Sequence, residues 1–506
     1  YTGLDQIKGL AFIDENNKFS VTGNAEQVPA SEMIYHDSDK LKTGLQMFNG
    51  NGISVHEYYQ SIDNLSNFKE SFLQGQLYPE GLSFYKKNKN KKIGNLMTVR
   101  GCVARCTFCQ RYTKGYRIHE VNDLENEIIK LKEKYNVRGL SLADENSLSN
   151  RKHSYELVRL LKKHDIYWTA GGVRVTSVTY EDLKFYKEHN MLAIRFGIET
   201  GSQKILDIME KKFTTKDVYN AISNCKKLGI GTSCDQLMVG MPGETRETVI
   251  ESAQFVASLS YLLGKDWNTG NPFMAMAIPG TPLYEYCQQI GVIGKSLDEE
   301  EDYLIRVSGH KNTHILNYVN KTNSSVKEVH YWKYLYPYAA KKAYLDLIIK
   351  NNKSIKNRLS QIYEQCIKGT FKDLINDFNL RKESYKNKKL LQKMKWFTLT
   401  LVNFLLSLGV AFLPKAILFP IIRVYANLRF YSLEKNNKVK KGKQKHNLFA
   451  IQPVDLTSNL RLTENRIAKT NRQIDLSLRK IVMDNRKIMK PVITDEERGL
   501  QILAQG

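Results

Sequence analysis

The sequence predicts an α/β fold: a partial (β/α)6, TIM-like barrel, with a remnant N-terminal α/β segment and a mostly helical C-terminal region. Two observations predict it. From about residue 93 to 290, short apolar runs alternate with amphipathic stretches. Strands separated by helices imply βαβ units on a parallel sheet, and about six such units make a partial barrel.

The first 90 residues are mixed. Leu10 to Ile13, the polar Asp14-Glu15-Asn16-Asn17 and Phe19 to Thr22 read as a hairpin. A helix is expected around Ile62 to Leu73, and Lys86 to Lys92 reads as a basic linker. The barrel strands are expected at Leu96–Val99, Gly139–Ala143, Ile166–Thr169, Leu192–Phe196, Gly231–Val239 and Phe273–Ala277. Its helices are expected at Asp123–Tyr135, His153–His164, Tyr180–His189, Thr215–Leu228 and Arg246–Leu263. In such barrels the active site lies at the C-terminal ends of the strands. The expected division is 1–90 for the N-terminal segment, 91–290 for the barrel, 291–393 for a helical domain, 394–431 for an apolar membrane-associating segment and 432–506 for a basic polar tail.

With 506 residues the chain has length for at least two domains. Its net charge is +24, and the excess is concentrated. Arg381 to Lys395 carries seven Lys/Arg against one Glu, and Arg423 to Lys445 eight against one Glu. Between them lies the most apolar stretch, Trp396 to Ile422, interrupted by Pro414-Lys415 and Pro420. Its first part, 18 residues to Leu413, is just long enough to be a spanning candidate. Positive charge on both sides suits a re-entrant hairpin or an interfacial helix on anionic headgroups better than a single span. A buried helical hairpin is the alternative. The expected location is cytoplasmic, peripheral on the cytoplasmic face of a membrane.

Seven cysteines without a regular disulfide framework, and no secretory signal at the start, point to a reducing compartment and a metal. Cys225, Cys234, Cys287 and Cys366 are scattered and read as buried packing residues. Cys102, Cys106 and Cys109 are different: they form C-x3-C-x2-C directly after the first expected strand. Three thiolates this close hold three irons of one cubic cluster and leave the fourth iron open, whereas four-cysteine clusters use every iron. A structural zinc site normally closes with a fourth Cys or His. The nearest candidate here, His119, lies ten residues on, without the usual spacing.

This loop resembles the signature of the radical S-adenosylmethionine (radical SAM) superfamily. Further motifs resemble the same family: Leu140-Ser141-Leu142-Ala143-Asp144-Glu145-Asn146, Arg195-Phe196-Gly197-Ile198-Glu199-Thr200-Gly201-Ser202, Val239-Gly240-Met241-Pro242-Gly243-Glu244-Thr245 and Ala277-Ile278-Pro279-Gly280-Thr281-Pro282-Leu283-Tyr284. Thr200 stands where the family usually has Ser. The resemblance implies a [4Fe-4S] cluster held by Cys102, Cys106 and Cys109, and SAM chelated to the open iron. It implies SAM contacts from Phe108, Asp144, Glu145 and Glu199. Gly201 and Ser202 would open a helix whose free N–H groups suit a polar ligand. No catalytic residue is implied beyond the cluster site. A reductant such as flavodoxin or ferredoxin would supply the electron.

The set of motifs is similar to the branch often preceded by a cobalamin-binding domain. Leu10 to Lys18 resembles the tail of that domain, but its D-x-H-x-x-G pattern is absent, and His36 and His56 lack that context. The chain opens on Tyr1 rather than Met, so cobalamin is implied for a longer parent chain. The implied activity is SAM cleavage for C-methylation or another modification of a lipid-like or small-molecule substrate. Two alternatives stand beside it: RNA modification of the methylthiotransferase kind, and a non-catalytic iron–sulfur protein. Basic blocks neutralise phosphates, yet these flank an apolar stretch and no RNA-binding module is recognisable, so a nucleic-acid partner is not expected.

Overall fold

A computed structural model of the chain describes residues 4–13, 19–22, 90–109, 115–142, 144–232, 237–264, 272–294, 318–351, 354–368 and 390–441, with a few single residues between them. The hairpin forms as expected: β1 (Ala11–Ile13) pairs antiparallel with β2 (Phe19–Val21), and Thr22 closes it through Leu10. The helix expected at 62–73 and both N-terminal histidines lie outside the described residues.

Four parallel strands follow in sequence order: β3 (Lys92–Leu96), β6 (Val137–Leu142), β7 (Tyr167–Val173) and β8 (Met191–Phe196). A two-residue pair, β9 (Met238–Val239) with β10 (Phe273–Met274), continues the parallel arrangement. The isolated parallel bridges Ala193↔Gly231 and Glu199↔Leu237 tie it to β8. The result is an open parallel arc of βα units. The first strand is displaced from its expected place. It begins at Lys92, inside the stretch read as a linker, and ends at Leu96. Val99–Gly101 instead forms β4, antiparallel to β5 (Tyr116–Ile118). The physical reason is at Thr98 and Val99, whose backbone N–H groups turn to the Asp144 carboxylate rather than to a neighbouring strand.

The helices carry their own start and stop signals. α1 (Val121–Tyr135) buries Leu124, Ile128, Leu131 and Tyr135, one stripe at helical spacing, against the sheet. α2 (Arg151–Lys163) and α3 (Tyr180–Glu188) follow the same pattern. The short α4 (Gln203–Ile208) leads to α5 (Thr215–Leu228), and α6 (Arg246–Leu263) precedes β10. Thr179, Thr214 and Thr245 form capping boxes at α3, α5 and α6. Gly229 and Gly264, in left-handed backbone, end α5 and α6. Cys225 and Cys287 are buried packing residues, as expected, whereas the side chains of Cys234 and Cys366 lie outside what is described.

After α7 (Pro282–Gln289), the C-terminal region is helical. α8 (Val326–Asn351) lies against α6, and α9 (Ile355–Ile362) runs into a π-helical turn, Tyr363–Lys368. The apolar stretch forms two helices, α10 (Leu390–Phe412) and α11 (Lys415–Lys441), broken at Leu413-Pro414. They share one core with α8: Leu406, Val410, Leu418, Ile422 and Ala426 pack with Trp332 and Leu335. Arg423 makes a two-pronged ion pair with Glu328 of α8, and Lys415 pairs with Asp346. The stretch is therefore a helical hairpin with one packed face. Among the described residues no helix is long and apolar enough to cross a membrane.

Candidate functional site

The cysteine loop sits at the C-terminal end of the first strand and is clamped at both ends. The N–H of Cys102 donates to the carbonyl of Gly115 on the β4–β5 side, 3.1 Å away. Thr107 is bound three ways: its N–H to Met209 O at 3.1 Å, its hydroxyl to Ile208 O at 3.0 Å, and its carbonyl to Leu283 N–H at 2.9 Å. Two segments distant in sequence, the end of α4 and the start of α7, thus hold the residue between the second and third cysteines. This is structural work done by the end of α4 and by the Ala277–Tyr284 motif. Cys106 is buried, Cys102 half-buried and Cys109 exposed. Cys109 is exposed as a residue, yet desolvation of its sulfur pushes the thiol up to about 11, and the neighbouring Cys106 and Cys102 push in the same direction, so the three sulfurs share one electrostatic neighbourhood. Burial likewise raises Cys102.

Charged groups from successive strand ends face these thiols. Glu145, after β6, and Arg174, directly after β7, act electrostatically on Cys102. Glu199, after β8, and Lys211, after α4, act on Cys109. The ammonium of Lys211 is almost fully buried, 3.6 Å from Glu199 Oε1 and 5.6 Å from the ring centres of both Phe108 and Phe213. Arg174 donates to the Lys211 carbonyl at 2.5 Å and holds that turn. Glu199 itself sits at φ 68°, a left-handed conformation that non-glycine residues seldom adopt. Its carbonyl accepts from Met238 N–H at 2.9 Å, so the strained residue is locked to β9.

Residues 96–256 match the family model described as the radical SAM superfamily. The chain carries a radical SAM domain. A protein of Pyrococcus horikoshii named as an uncharacterized methyltransferase is 30% identical over 38% of this chain and 42% of its own. The cytidylyl-2-hydroxyethylphosphonate methyltransferase of Streptomyces wedmorensis is 27% identical over 40% of this chain and 39% of its own. The chain thus spans about two fifths of the length of these curated relatives. Among solved structures, the cobalamin-dependent SAM radical enzyme OxsB covers 99% of this chain and 64% of its own at 15% identity, with a TM-score of 0.42.

Radical SAM domains use a [4Fe-4S] cluster and SAM, and the residues present fit that pair. Thiolates are the soft donors iron clusters take. The site adds two carboxylates, Glu145 and Glu199, and two cations, Arg174 and Lys211, in the electrostatic neighbourhood of the thiols. A zwitterionic amino acid group needs both signs. Among the described residues no three His, Cys, Asp or Glu side chains converge on a single ion.

The structure sorts the six residues expected to contact SAM. Glu145 acts electrostatically on Cys102 and Glu199 on Cys109. Phe108 is partly buried beside the third cysteine, against the cluster that contains Met209 and Met241. Asp144 has other partners. Its buried carboxylate accepts from Thr98 N–H at 2.6 Å, Thr98 Oγ1 at 2.6 Å, Val99 N–H at 3.0 Å and Ser147 Oγ at 3.0 Å. Burial raises its affinity for a proton while these bonds pull the other way. It fastens the end of the first strand to the second. Gly201 and Ser202 correct the expectation of free N–H groups. The Gly201 N–H donates to Ser252 Oγ at 3.1 Å and that of Ser202 to Thr200 Oγ1 at 3.2 Å, while the Ser202 hydroxyl reaches Glu251 at 2.6 Å. A Cβ on Gly201 would strike Phe255 at 2.6 Å, so the glycine serves close packing against α6. Arg174 and Lys211 escaped the sequence reading. Lys211 follows α4, but nothing in sequence separates it from Lys212, which is exposed and pairs with Glu210. Gly172 was missed too: at φ 65° it lies against the Asp144 and Glu145 backbone, where a Cβ would meet their carbonyls at 2.9 and 3.0 Å.

Proposed function

We propose that this chain carries the catalytic domain of a cobalamin-dependent radical SAM methyltransferase that modifies carbon in a lipid-like or small-molecule substrate. The observation that carries the reading is the clamped three-thiol loop with carboxylates and cations from successive strand ends around its open side. When bound, the cluster and SAM supply reductive cleavage of a carbon–sulfur bond and a 5′-deoxyadenosyl radical. The chain supplies binding and orientation. Cys102, Cys106 and Cys109 hold three irons; Phe108 packs on the adenine. Glu145 and Glu199 accept from the SAM amino group, and Lys211, with Arg174 behind it, holds the SAM carboxylate. Lys211 is nearly dry, where a charge-assisted hydrogen bond is strongest. A flavodoxin- or ferredoxin-type reductant delivers the electron at the thiol loop. A peripheral position at the cytoplasmic face of a membrane belongs to the same reading; the apolar C-terminal hairpin supports it.

The test is anaerobic reconstitution with iron, sulfide, SAM and dithionite. The protein is expected to bind close to four irons and to form 5′-deoxyadenosine, and Cys106→Ala to lose both. Lys211→Met is expected to keep its iron and weaken SAM binding by about tenfold. Equal 5′-deoxyadenosine from wild type and Cys106→Ala would sink the proposal. With methyl-labelled SAM and cobalamin, label is expected in a lipid extract; label in tRNA instead would move the assignment to RNA modification.

A further inference from the structure

The C-terminal helical hairpin packs with only one of two apolar faces. On α11, Leu418, Ile422, Tyr425 and Ala426 are buried against α8. Ile417, Ile421, Val424, Leu428 and Tyr431 recur at spacings of four and three on the other side, and they are 51, 42, 59, 65 and 55% exposed. That is a complete second stripe at helical period. α10 does the same: Leu406 and Val410 are buried while Leu401, Leu405 and Phe412 stand out. At the tip, Phe412 and Ile417 project on either side of Pro414. Leu406 and Val410 of α10 share one buried cluster with Leu418, Ile422 and Tyr425 of α11, so the two helices run back along one another. A soluble surface seldom shows so continuous an apolar run without an occupant.

We infer that this outer face lies in the plane of an anionic lipid bilayer, with the hairpin tip inserted to the acyl boundary and the basic end of α11 on the headgroups. Charge selects the occupant. Beyond the stripe, residues 435–445 hold six lysines and no acid. An amphipathic helix followed by a block of four to eight basic residues is the pattern anionic lipid surfaces attract. The basic side chain nearest the middle of the stripe, Arg423, is committed to Glu328, and Lys415 at the tip to Asp346. Those pairs hold the hairpin on α8. Proline at 420 removes an N–H from α11 without breaking it, and this is tolerated because the helix is pinned on α8 around it. The geometry is in-plane rather than spanning: the buried face is held by α8, so only the outer side meets lipid.

The inference rests on the peripheral reading above, but its test needs neither cluster turnover nor substrate. The full chain is mixed with vesicles of phosphatidylglycerol and phosphatidylcholine, or of phosphatidylcholine alone, and sedimented. Binding is expected with the anionic vesicles, and on the order of tenfold weaker with the neutral ones or at raised salt. The double variant Ile421→Asp, Leu428→Asp is expected to lose anionic binding by on the order of tenfold or more, with unchanged circular dichroism, gel-filtration volume and iron content. A second variant, Lys438→Glu, Lys441→Glu, tests the charge arm without touching the apolar face, and a lower affinity is expected. No sedimentation of wild type with anionic vesicles overturns the inference. So does equal sedimentation of the aspartate variant. So does a wild-type dimer that the aspartate variant makes monomeric without any vesicle binding, because a second copy then covers the face. Each leaves 5′-deoxyadenosine formation as the separate measure of catalysis.

Discussion

The strand-end site and the C-terminal hairpin are built on opposite principles. At the site, polar and charged side chains are individually bound: Asp144 has four donors, Thr107 three partners, and Glu199 is locked through its own carbonyl. In the hairpin, side chains are interchangeable in kind, and what matters is which side of the helix they occupy. Val410 is fully buried and Ile421 is 42% exposed, yet both are branched aliphatics in the same apolar run. The contrast teaches that discrete hydrogen-bonding residues announce their roles by type and spacing, whereas apolar residues announce only that something will cover them.

That contrast can be broken by substitution. The largest effect is expected from Val410→Asp, which puts an unpaired carboxylate into the shared core of α8, α10 and α11 and should cost about 4 kcal/mol in chemical unfolding. Ile421→Asp, on the outer side, should stay within about 0.5 kcal/mol. Similar losses at both positions would mean that the two faces do not differ. Next comes Asp144→Ala, which leaves buried donors of Thr98, Val99 and Ser147 unmatched and should cost about 3 kcal/mol. Asp144→Asn separates the two roles of this residue. Lost stability with unchanged SAM affinity marks it as a positioning residue; unchanged stability with weakened SAM binding would return it to the ligand.

Gly201→Ala should cost about 2 kcal/mol, because the added methyl meets Phe255 and the Ser252 backbone in a packed interface. SAM binding by the surviving folded protein should be unchanged. A specific loss of SAM affinity with full stability would reinstate the helix terminus as a ligand site. The smallest effect concerns Glu244 in the Gly240–Thr245 turn. Its carboxylate accepts from the N–H groups of Gly240 and Met241. Complete burial nonetheless pushes it up to about 7, from 4.5 in the unfolded chain. The folded protein therefore binds that proton more tightly, and stability should fall as pH rises from 4.5 to 7 and level off above. Glu244→Gln should flatten the slope, measured by thermal unfolding across that range. Lys321, equally buried and lowered to about 8, donates to Ala275 O at 2.5 Å from the segment that closes over this turn. A Lys321→Met variant removes a buried cation that lowers the Glu244 carboxyl, so it should keep the slope between pH 4.5 and 7 and extend it above 7.

Much of the fold was legible. α5 and α6 fall where the amphipathic spacing put them, because each begins at a threonine capping box and ends at a left-handed glycine, signals local to the chain. The first strand was misplaced because a local reading sees the apolar run ending at Val99 and cannot see that Asp144, 46 residues on from Thr98, takes that N–H out of the sheet. Acid pairs after strands look alike in sequence, so Asp144 and Glu145 were read as one motif. In space they divide, one holding the backbone and the other facing the thiols.

By itself, then, the sequence determined the alternation that makes a parallel α/β arc, the three thiols and their order, and the basic blocks around an apolar stretch. These depend on residue type and spacing along one segment. The tertiary structure decided which strand-end groups face the cysteines, that Arg174 and Lys211 join them, that Gly201 serves packing, and which side of the hairpin α8 covers. Those are relations between residues far apart in the chain, and burial and hydrogen-bond satisfaction select among them only once the elements are packed.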